Sequence, residues 1–224
     1  MSESKPRIDP YPLSTYNTWA WERNRGPILQ VLKTVFPKAG DVLELASGSG
    51  AHINYFAPNF PGITFQPSDC DVNVFETIKS NRSRAGNTNV ADPLRIDLTE
   101  PDSWPLEKER LYDVIIAINV FHLAPVSAAE GFAEIAVRLL KPEGFAAIYG
   151  PFKVDGSFTS PSNVAFDRSL REAGVPGRGL KDVRDLEKAA DDRGVVLKLQ
   201  LDLPANNFML VFQKTKPAAD LASV

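Results

Sequence analysis

Thiol and imidazole chemistry is nearly absent from this chain: it has one cysteine, Cys70, and two histidines, His52 and His122, in 224 residues. An internal disulfide and a cysteine-built zinc site are thereby excluded, and a histidine-rich metal centre is not expected, so no metal is assigned. Long apolar runs are missing too. None approaches the ~20 residues needed to span a bilayer, so no membrane partner is expected. Residues 1–12 are polar and carry proline, without the apolar core of a signal peptide. Nor is there an excess of one charge: 25 Lys and Arg stand against 28 Asp and Glu, a formal net charge of -3. Neutralising several phosphates takes a concentrated basic face, so a nucleic-acid partner is disfavoured. The one basic cluster, Lys79, Arg82 and Arg84, reads as the solvated face and end of a helix. The expectation is a cytoplasmic protein with a small-molecule ligand; the oligomeric state is left open.

What is present is an alternation of short apolar runs and amphipathic stretches. Residues 1–20 read as an irregular or partly helical lead-in, residues 21–215 as the domain, and 216–224 as a flexible tail. From Glu22 a helix is expected, with Ile28, Leu29, Leu32, Val35 and Phe36 forming one buried stripe before Pro37 and Gly40 stop it. Strands are expected at 41–45, 63–66, 94–96, 113–120 and 145–149. The run 113–120 is apolar almost throughout, as a strand covered on both faces requires. Between strands, helices are expected at 51–56 and after Asp71, which can cap a helix with Phe75 and Ile78 inward. Another should begin with a Ser127/Glu130 capping box. Two further helices, after Ser160-Pro161 and from Asp182, precede strands 195–203 and 208–213. The link between those two, Pro204-Ala205-Asn206-Asn207, is too short for a parallel crossover, so they form an antiparallel hairpin. The fold class expected is α/β: a single Rossmann-like doubly wound sheet, mostly parallel, with an antiparallel C-terminal hairpin.

Such sheets bind ligands beyond the carboxyl ends of their strands, where the strand order reverses. That rim would gather residues 46–50, 68–69, Asp97 and 119–122. Small residues at 46–50 let backbone N–H groups approach a ligand at a helix start, which assigns Ser47, Gly48 and Gly50 to the ligand. Glu44, on the preceding strand, can meet a cationic ammonium. Asp69 closes the second strand, where an acidic side chain accepts hydrogen bonds from both ribose hydroxyls. Asp97, closing the third, can meet an exocyclic adenine amine. Together these describe a nucleoside carrying an amino group. A dinucleotide site would want Gly-x-Gly-x-x-Gly, and Ala46-Ser47-Gly48-Ser49-Gly50-Ala51 lacks the third glycine.

The string Val42-Leu43-Glu44-Leu45-Ala46-Ser47-Gly48-Ser49-Gly50 resembles the glycine motif of class I S-adenosylmethionine-dependent methyltransferases, with Ala46 where many members have glycine. Asp113-Val114-Ile115-Ile116-Ala117-Ile118-Asn119 and Leu140-Lys141-Pro142-Glu143-Gly144 resemble that superfamily's fourth-strand and pre-fifth-strand motifs. More narrowly, the chain resembles the methyltransferase-like twenty-six family. The matching segments are Glu22-Arg23-Asn24, Gln66-Pro67-Ser68-Asp69, Tyr149-Gly150-Pro151-Phe152, Ser160-Pro161-Ser162-Asn163 and Pro204-Ala205-Asn206-Asn207. It departs from that family at Trp21 and at Val120-Phe121, both near the expected substrate side. The resemblance implies S-adenosylmethionine as cofactor, methyl transfer to oxygen or nitrogen of a small molecule, and a natural-product tailoring role such as some relatives have.

On that reading His122 is the candidate catalytic residue, a base or orienting group for the acceptor; the plainer reading is a histidine packed in a helix-entry turn. Asn119 bonds the ligand through its amide, or satisfies its own strand. Arg23 and Asn24 pair with the cofactor carboxylate, or belong to a helix face. Tyr16, Trp19, Trp21 and Phe152 line an apolar substrate pocket or an aromatic core. Asn163 and Asn206 sit in substrate-side loops or serve as cap and turn residues. His52 reads as a packing or solvent residue and Cys70 as inert. Two other classes stay open: a methyltransferase fold that binds the cofactor without transferring the methyl, and, more weakly supported, a nicotinamide-linked oxidoreductase.

Overall fold

Short apolar strands that alternate with amphipathic helices bury both faces only when helices cover a parallel sheet from either side. A computed structural model, which describes residues 15–104 and 110–215, with side chains from residue 19 onward, shows this arrangement. Seven strands form one sheet in the order β3-β2-β1-β4-β5-β9-β8. β1 (Gly40–Leu45), β2 (Ile63–Asp69), β3 (Leu94–Arg95), β4 (Tyr112–Ile118) and β5 (Leu140–Gly150) are mutually parallel. A two-stranded ribbon, β6 (Lys153–Val154) and β7 (Ser157–Phe158), stands apart. β8 (Val195–Leu203) and β9 (Asn207–Lys214) close the sheet as an antiparallel hairpin, β9 against β5. The doubly wound α/β sheet with its antiparallel edge is therefore as expected.

The core divides between the two faces of the sheet. On one, Ile28, Leu29 and Leu32 of α1 (Thr15–Val35) and Ile53 and Phe56 of α2 (Ala51–Phe56) pack with Val42, Phe65, Val114 and Ile116. On the other, Phe132, Ile135 and Ala136 of α4 (Ala128–Leu139) and Leu186 and Ala190 of α6 (Val183–Asp191) pack with Leu43, Ile115, Ile148 and Phe212. The alternation of Leu43 and Val42, or Ile115 and Val114, between the two cores is the two-residue strand period made visible. α3 (Phe75–Ala85) buries Ile78 but leaves Phe75 half-buried. α5 (Pro161–Glu172) differs: its buried residues are Asn163, Asp167 and Leu170, a face too polar to pack on a sheet.

Several local expectations need correction. α1 begins at Thr15, not Glu22, and so takes up part of the expected lead-in. Its apolar stripe starts only at Ile28, because the earlier turns do not face the sheet. Pro27 removes one bond from the helix interior. The Ser127/Glu130 box does not form: Ser127 is already helical, at φ −58° and ψ −18°, and makes no side-chain cap bond. The chain enters α4 from tight turns, in which Leu123 N and Ala124 N donate to Val120 O and Ala128 N donates to Pro125 O. An extended capping residue has no place there. Residues 141–144 interrupt β5 rather than precede it. Tyr112 pairs with Leu140 and Val114 with Phe145, so the intervening residues bulge out, with Glu143 at φ 64°. Between β3 and β4 there is no α-helix among the described residues. The expected tail, residues 216–224, lies outside them.

Candidate functional site

β1 has β2 on one side and β4 on the other, so the chain's order reverses there and a crevice opens at the carboxyl ends of β1 and β4. Two residues on that rim hold left-handed backbone although neither is glycine: Ala46 at φ 52° after β1 and Asn119 at φ 59° after β4. Such strain, about 1–2 kcal/mol for an alanine, persists only where the surroundings over-determine it. At Ala46 the surroundings are visible: Ser47 N donates to Ser68 O (2.8 Å) and Gly48 N to Asp69 Oδ2 (2.8 Å). The turn is thus laced to the end of β2. Asn119 N donates to Tyr149 O on β5 at 2.8 Å.

Beyond these strand ends lies a cavity of about 1140 Å³. That exceeds the roughly 300–1,000 Å³ of an ordinary small-ligand pocket and leaves room for two ligands side by side. Ser47, Gly48, Asp69, Asp97, Arg23, Asn24, Asn119, His122, Trp19, Trp21, Asn163 and Asn206 all line it. Segments far apart in the chain thereby converge as the rim argument expected.

At one end, Asp69 is wholly buried, its Oδ2 taking Gly48 N and its Oδ1 taking Asp71 N at 3.0 Å. Asp97 Oδ1 accepts from Thr99 N (2.8 Å) and Thr99 Oγ1 (2.7 Å). Cys70 is also here. Burial and the carboxylates of Asp69 and Asp97 push its thiol up to about 11, so it is not a thiolate at neutral pH. Asp71 caps the turn that follows, accepting from Asn73 N. The basic cluster is solvated in the main: Lys79 pairs with Glu76 and Arg82 with Asp92, while Arg84 reaches the cavity rim.

In the middle, Asn24 of α1 is 6% exposed and its Oδ1 lies 2.8 Å from His52 Nε2 of α2. An accepting amide oxygen there places the ring proton on Nε2. Burial and the neighbouring Arg25 push His52 down to about 3, so it is neutral. His52 is thus a cavity-wall residue rather than a solvent-facing one. Arg23 stacks over Trp19 at 4.2 Å, and Arg25 over Trp21 at 3.9 Å. Trp21 Nε1 is buried without a hydrogen-bond partner.

At the far end, His122 is 6% exposed and its ring meets the edge of Phe166 with centroids 5.4 Å apart. Burial, with Lys181 and Arg178 nearby, pushes its pKa down to about 3. Asn163 Nδ2 donates to Thr159 Oγ1 (3.0 Å) and Asn206 O (3.2 Å), and Asn206 Nδ2 to Ser162 Oγ (3.0 Å). These bonds latch the start of α5 to the β8–β9 turn, where Ala205 and Asn206 are both left-handed.

Three expected site residues are not brought to the cavity in the manner foreseen. Phe152 is 2% exposed and packs against Phe121 in the core. Gly50 is buried at the start of α2 with φ 72° and its N–H donates to Ser47 O, so it shapes the turn without lining the cavity. Glu44 is 2% exposed, beneath the turn; burial pushes its carboxyl up to about 8, and its Oε2 has no partner. A neutral acid, rather than a standing carboxylate, occupies that position at pH 7. The side chain of Tyr16 lies outside those described.

Conversely, the sequence reading passed over Arg178, Phe166 and Leu170, which line the far end. Arg178 had a signal of its own: it stands between two glycines, and both Gly177 (φ 81°) and Gly179 (φ 138°) adopt positive φ.

A family model described as "Protein of unknown function (DUF938)" matches residues 16–214, and the chain belongs to that family. Among solved structures, the fold is similar to an O-methyltransferase family protein from Burkholderia thailandensis, with TM-score 0.74 and 17% identity over 88% of this chain and 58% of that one. It is likewise similar to human N-acetylserotonin methyltransferase in complex with S-adenosylmethionine, with TM-score 0.71 and 15% identity over 90% and 54%. A third is CalO1, a methyltransferase in calicheamicin biosynthesis in its S-adenosylhomocysteine-bound form, with TM-score 0.68 and 13% identity over 88% and 57%. The chain spans a little over half the length of each. It has a methyltransferase fold.

Proposed function

We propose that this member of the DUF938 family is an S-adenosylmethionine-dependent methyltransferase that places a methyl group on an oxygen or nitrogen of a small molecule. The observation that carries the reading is the convergence, at one end of a single cavity, of the strained 46–50 turn, Asp69 and Asp97. The residues fit an aminoacyl nucleoside. Asp69 is held by two backbone N–H groups in a fixed orientation, as a carboxylate that receives ribose hydroxyls must be. Asp97 offers an acceptor to an adenine amine, and Arg23 a fork for a carboxylate. The likeness to the methyltransferase-like twenty-six family supports the same assignment.

The cofactor would supply a methyl on a positively charged sulfur, from which an acceptor lone pair displaces a neutral thioether. In-line displacement is governed by position, so the chain's own part is to align the acceptor and exclude water. Asn119 and His122, after β4, stand where the two ligands would meet. A base poised for neutral pH has a pKa near 7, whereas burial holds His122 near 3. We therefore assign His122 to orientation: its neutral ring accepts a hydrogen bond from the acceptor's O–H or N–H, and takes that proton only as the transfer makes it acidic. Trp19, Trp21 and Asn163 form walls of the acceptor space. Natural-product tailoring is the proposed setting.

Calorimetric titration with S-adenosylmethionine, S-adenosylhomocysteine and NAD in parallel tests the reading. Saturable binding of both adenosyl ligands and none of NAD is expected. Binding of NAD alone, or of none of the three, would overturn it.

A further inference from the structure

The charges around the cavity are unevenly spread: Arg23, Arg84 and Arg178 line it, but acids line only one side. Among the described residues, its acidic lining side chains are Asp69 and Asp97, on the β2 and β3 side. Arg178 and His122 stand together past the end of β4, where Gly179 N donates to His122 O. Arg178 Nε is buried and has no hydrogen-bond partner. Asp167, whose Oδ1 would lie 3.0 Å from a Cβ on the adjacent Gly179, is committed to Arg171 (2.7 Å) and to Leu180 N (2.7 Å). That edge is covered by protein, so what a ligand in the cavity can meet is the remainder of a guanidinium already desolvated on one side, whose charge an anion would offset.

The loop that carries Arg178 is firmly held. Gly179 N donates to His122 O at 3.0 Å, and Lys181 Nζ donates to Gly177 O (2.6 Å) and Gly179 O (3.1 Å). Gly177 sits so close to Pro125 that a Cβ there would lie 2.7 Å from its Cα. The arginine is thus presented by a braced turn beside a neutral histidine, and apolar groups of Phe166, Leu170 and Leu123 form the neighbouring wall.

We propose that Arg178 is the anion-binding group of the acceptor site, and that the methyl acceptor is a small acid: a carboxylate, or an equally planar oxyanion, on an apolar or aromatic body. A carboxylate would take two of the guanidinium's donors as a fork, with its body against Phe166 and Leu170. His122 faces the part of the substrate that receives the methyl. The identification of the anion as the methyl acceptor rests on the proposed function; the recognition of an acid by Arg178 does not.

The test uses benzoate, phenylacetate and indole-3-acetate, each beside its primary amide, titrated into the protein with and without saturating S-adenosylhomocysteine. At least one acid is expected to bind about tenfold or more tightly than its amide, since only the acid meets the arginine as a charge. R178M should erase that preference, and R178K should retain part of it. Neither should change S-adenosylhomocysteine affinity by more than about twofold. R178K also serves if R178M does not fold. Equal binding of acid and amide, failure of all three acids to bind, or a preference that survives in the variants would overturn the proposal. So would a loss confined to S-adenosylhomocysteine, which would make Arg178 the partner of the cofactor's own carboxylate. If the acids bind through Arg178 while no adenosyl ligand binds at all, the methyltransferase reading fails and the anion site stands.

Discussion

The two ends of the cavity are built by different means. The adenosyl end consists of neighbouring strand termini and the turns that follow them, bonded to one another by backbone, Ser47 N to Ser68 O and Ile96 N to Asp69 O, and by the Asp69 carboxylate, which takes Gly48 N. The acceptor end consists of segments brought from afar, latched in part by side chains, Asn163 to Asn206, and in part by backbone, Gly179 N to His122 O with Gly177 against Pro125. A backbone lattice among neighbouring parallel strands can hold a common cofactor in one place. Latches between distant loops can change without disturbing the sheet, which suits the part of a site that selects a substrate.

The sharpest way to break this comparison is Asp69→Ala. It removes the carboxylate assigned to the ribose and also the acceptor of Gly48 N and Asp71 N. Affinity for S-adenosylhomocysteine should fall by about 2 kcal/mol or more, within the range for lost charged hydrogen bonds, while acid binding at Arg178 persists. Calorimetry with both probes decides it. Unchanged adenosyl affinity would mean that the ribose is held elsewhere, and a parallel loss of acid binding would mean that the two ends are not independent.

The ends also differ in how they answer to pH. Glu44, under the adenosyl turn, has its pKa raised to about 8 from 4.5, so the folded chain holds a proton that the unfolded chain releases. The stability linked to Glu44 is complete below about 4.5 and is lost as pH rises towards about 8. His122 and His52 are lowered to about 3 from 6.5, so the unfolded chain binds protons that the folded one does not. Their stability is present above 6.5 and is lost as pH falls towards 3. From about 4.5 to 6.5 the two kinds of group oppose each other; from 6.5 to 8 Glu44 acts alone. Urea unfolding across that upper window should show stability falling by up to ~1.4 kcal/mol per pH unit. Glu44→Gln should flatten that fall, steepen the histidine-linked loss between about 6.5 and 4.5 that Glu44 had opposed, and leave the profile below 4.5 unchanged, whereas His122→Gln should weaken only the acid-side loss. A flat profile in the unmodified chain between 6.5 and 8 would show that Glu44 is ionised in the folded state.

The same division decides what could be read from the sequence. Strand ends and the residues just after them are local: Ala46, Ser47, Gly48, Asp69, Asp97 and Asn119 reach the rim because periodicity located the strands and topology ordered them. Arg178 could not be placed that way, since its position depends on Pro125 and His122, more than fifty residues earlier in the chain. Phe152 failed for the opposite reason. It follows β5 directly, as a rim residue should, but the chain turns it back into the core beside Phe121. The start of α1 was misplaced because its first turns bear Trp19, Trp21 and Asn24 toward the cavity, so no apolar stripe announces them. The Ser127/Glu130 pair matched a capping pattern but lies in a chain already helical at Ser127.

The smallest effect expected is at Ala46, and it probes whether the backbone lattice is strained. At φ 52° alanine costs about 1–2 kcal/mol over a right-handed conformation, a penalty glycine would not incur. Ala46→Gly would also loosen the unfolded chain, which takes back about 0.4–1 kcal/mol. The net expectation is a gain of about 0.5 kcal/mol in unfolding free energy, with adenosyl affinity unchanged because the turn already has the shape that glycine would allow. A loss of stability would show that the Ala46 methyl, which packs against the core on the α4 face, contributes more by contact than its conformation costs. A gain in stability accompanied by weaker binding would show that the strain at Ala46 is what holds the Gly48 N–H on Asp69, and hence that the adenosyl end depends on a strained turn rather than merely tolerating one.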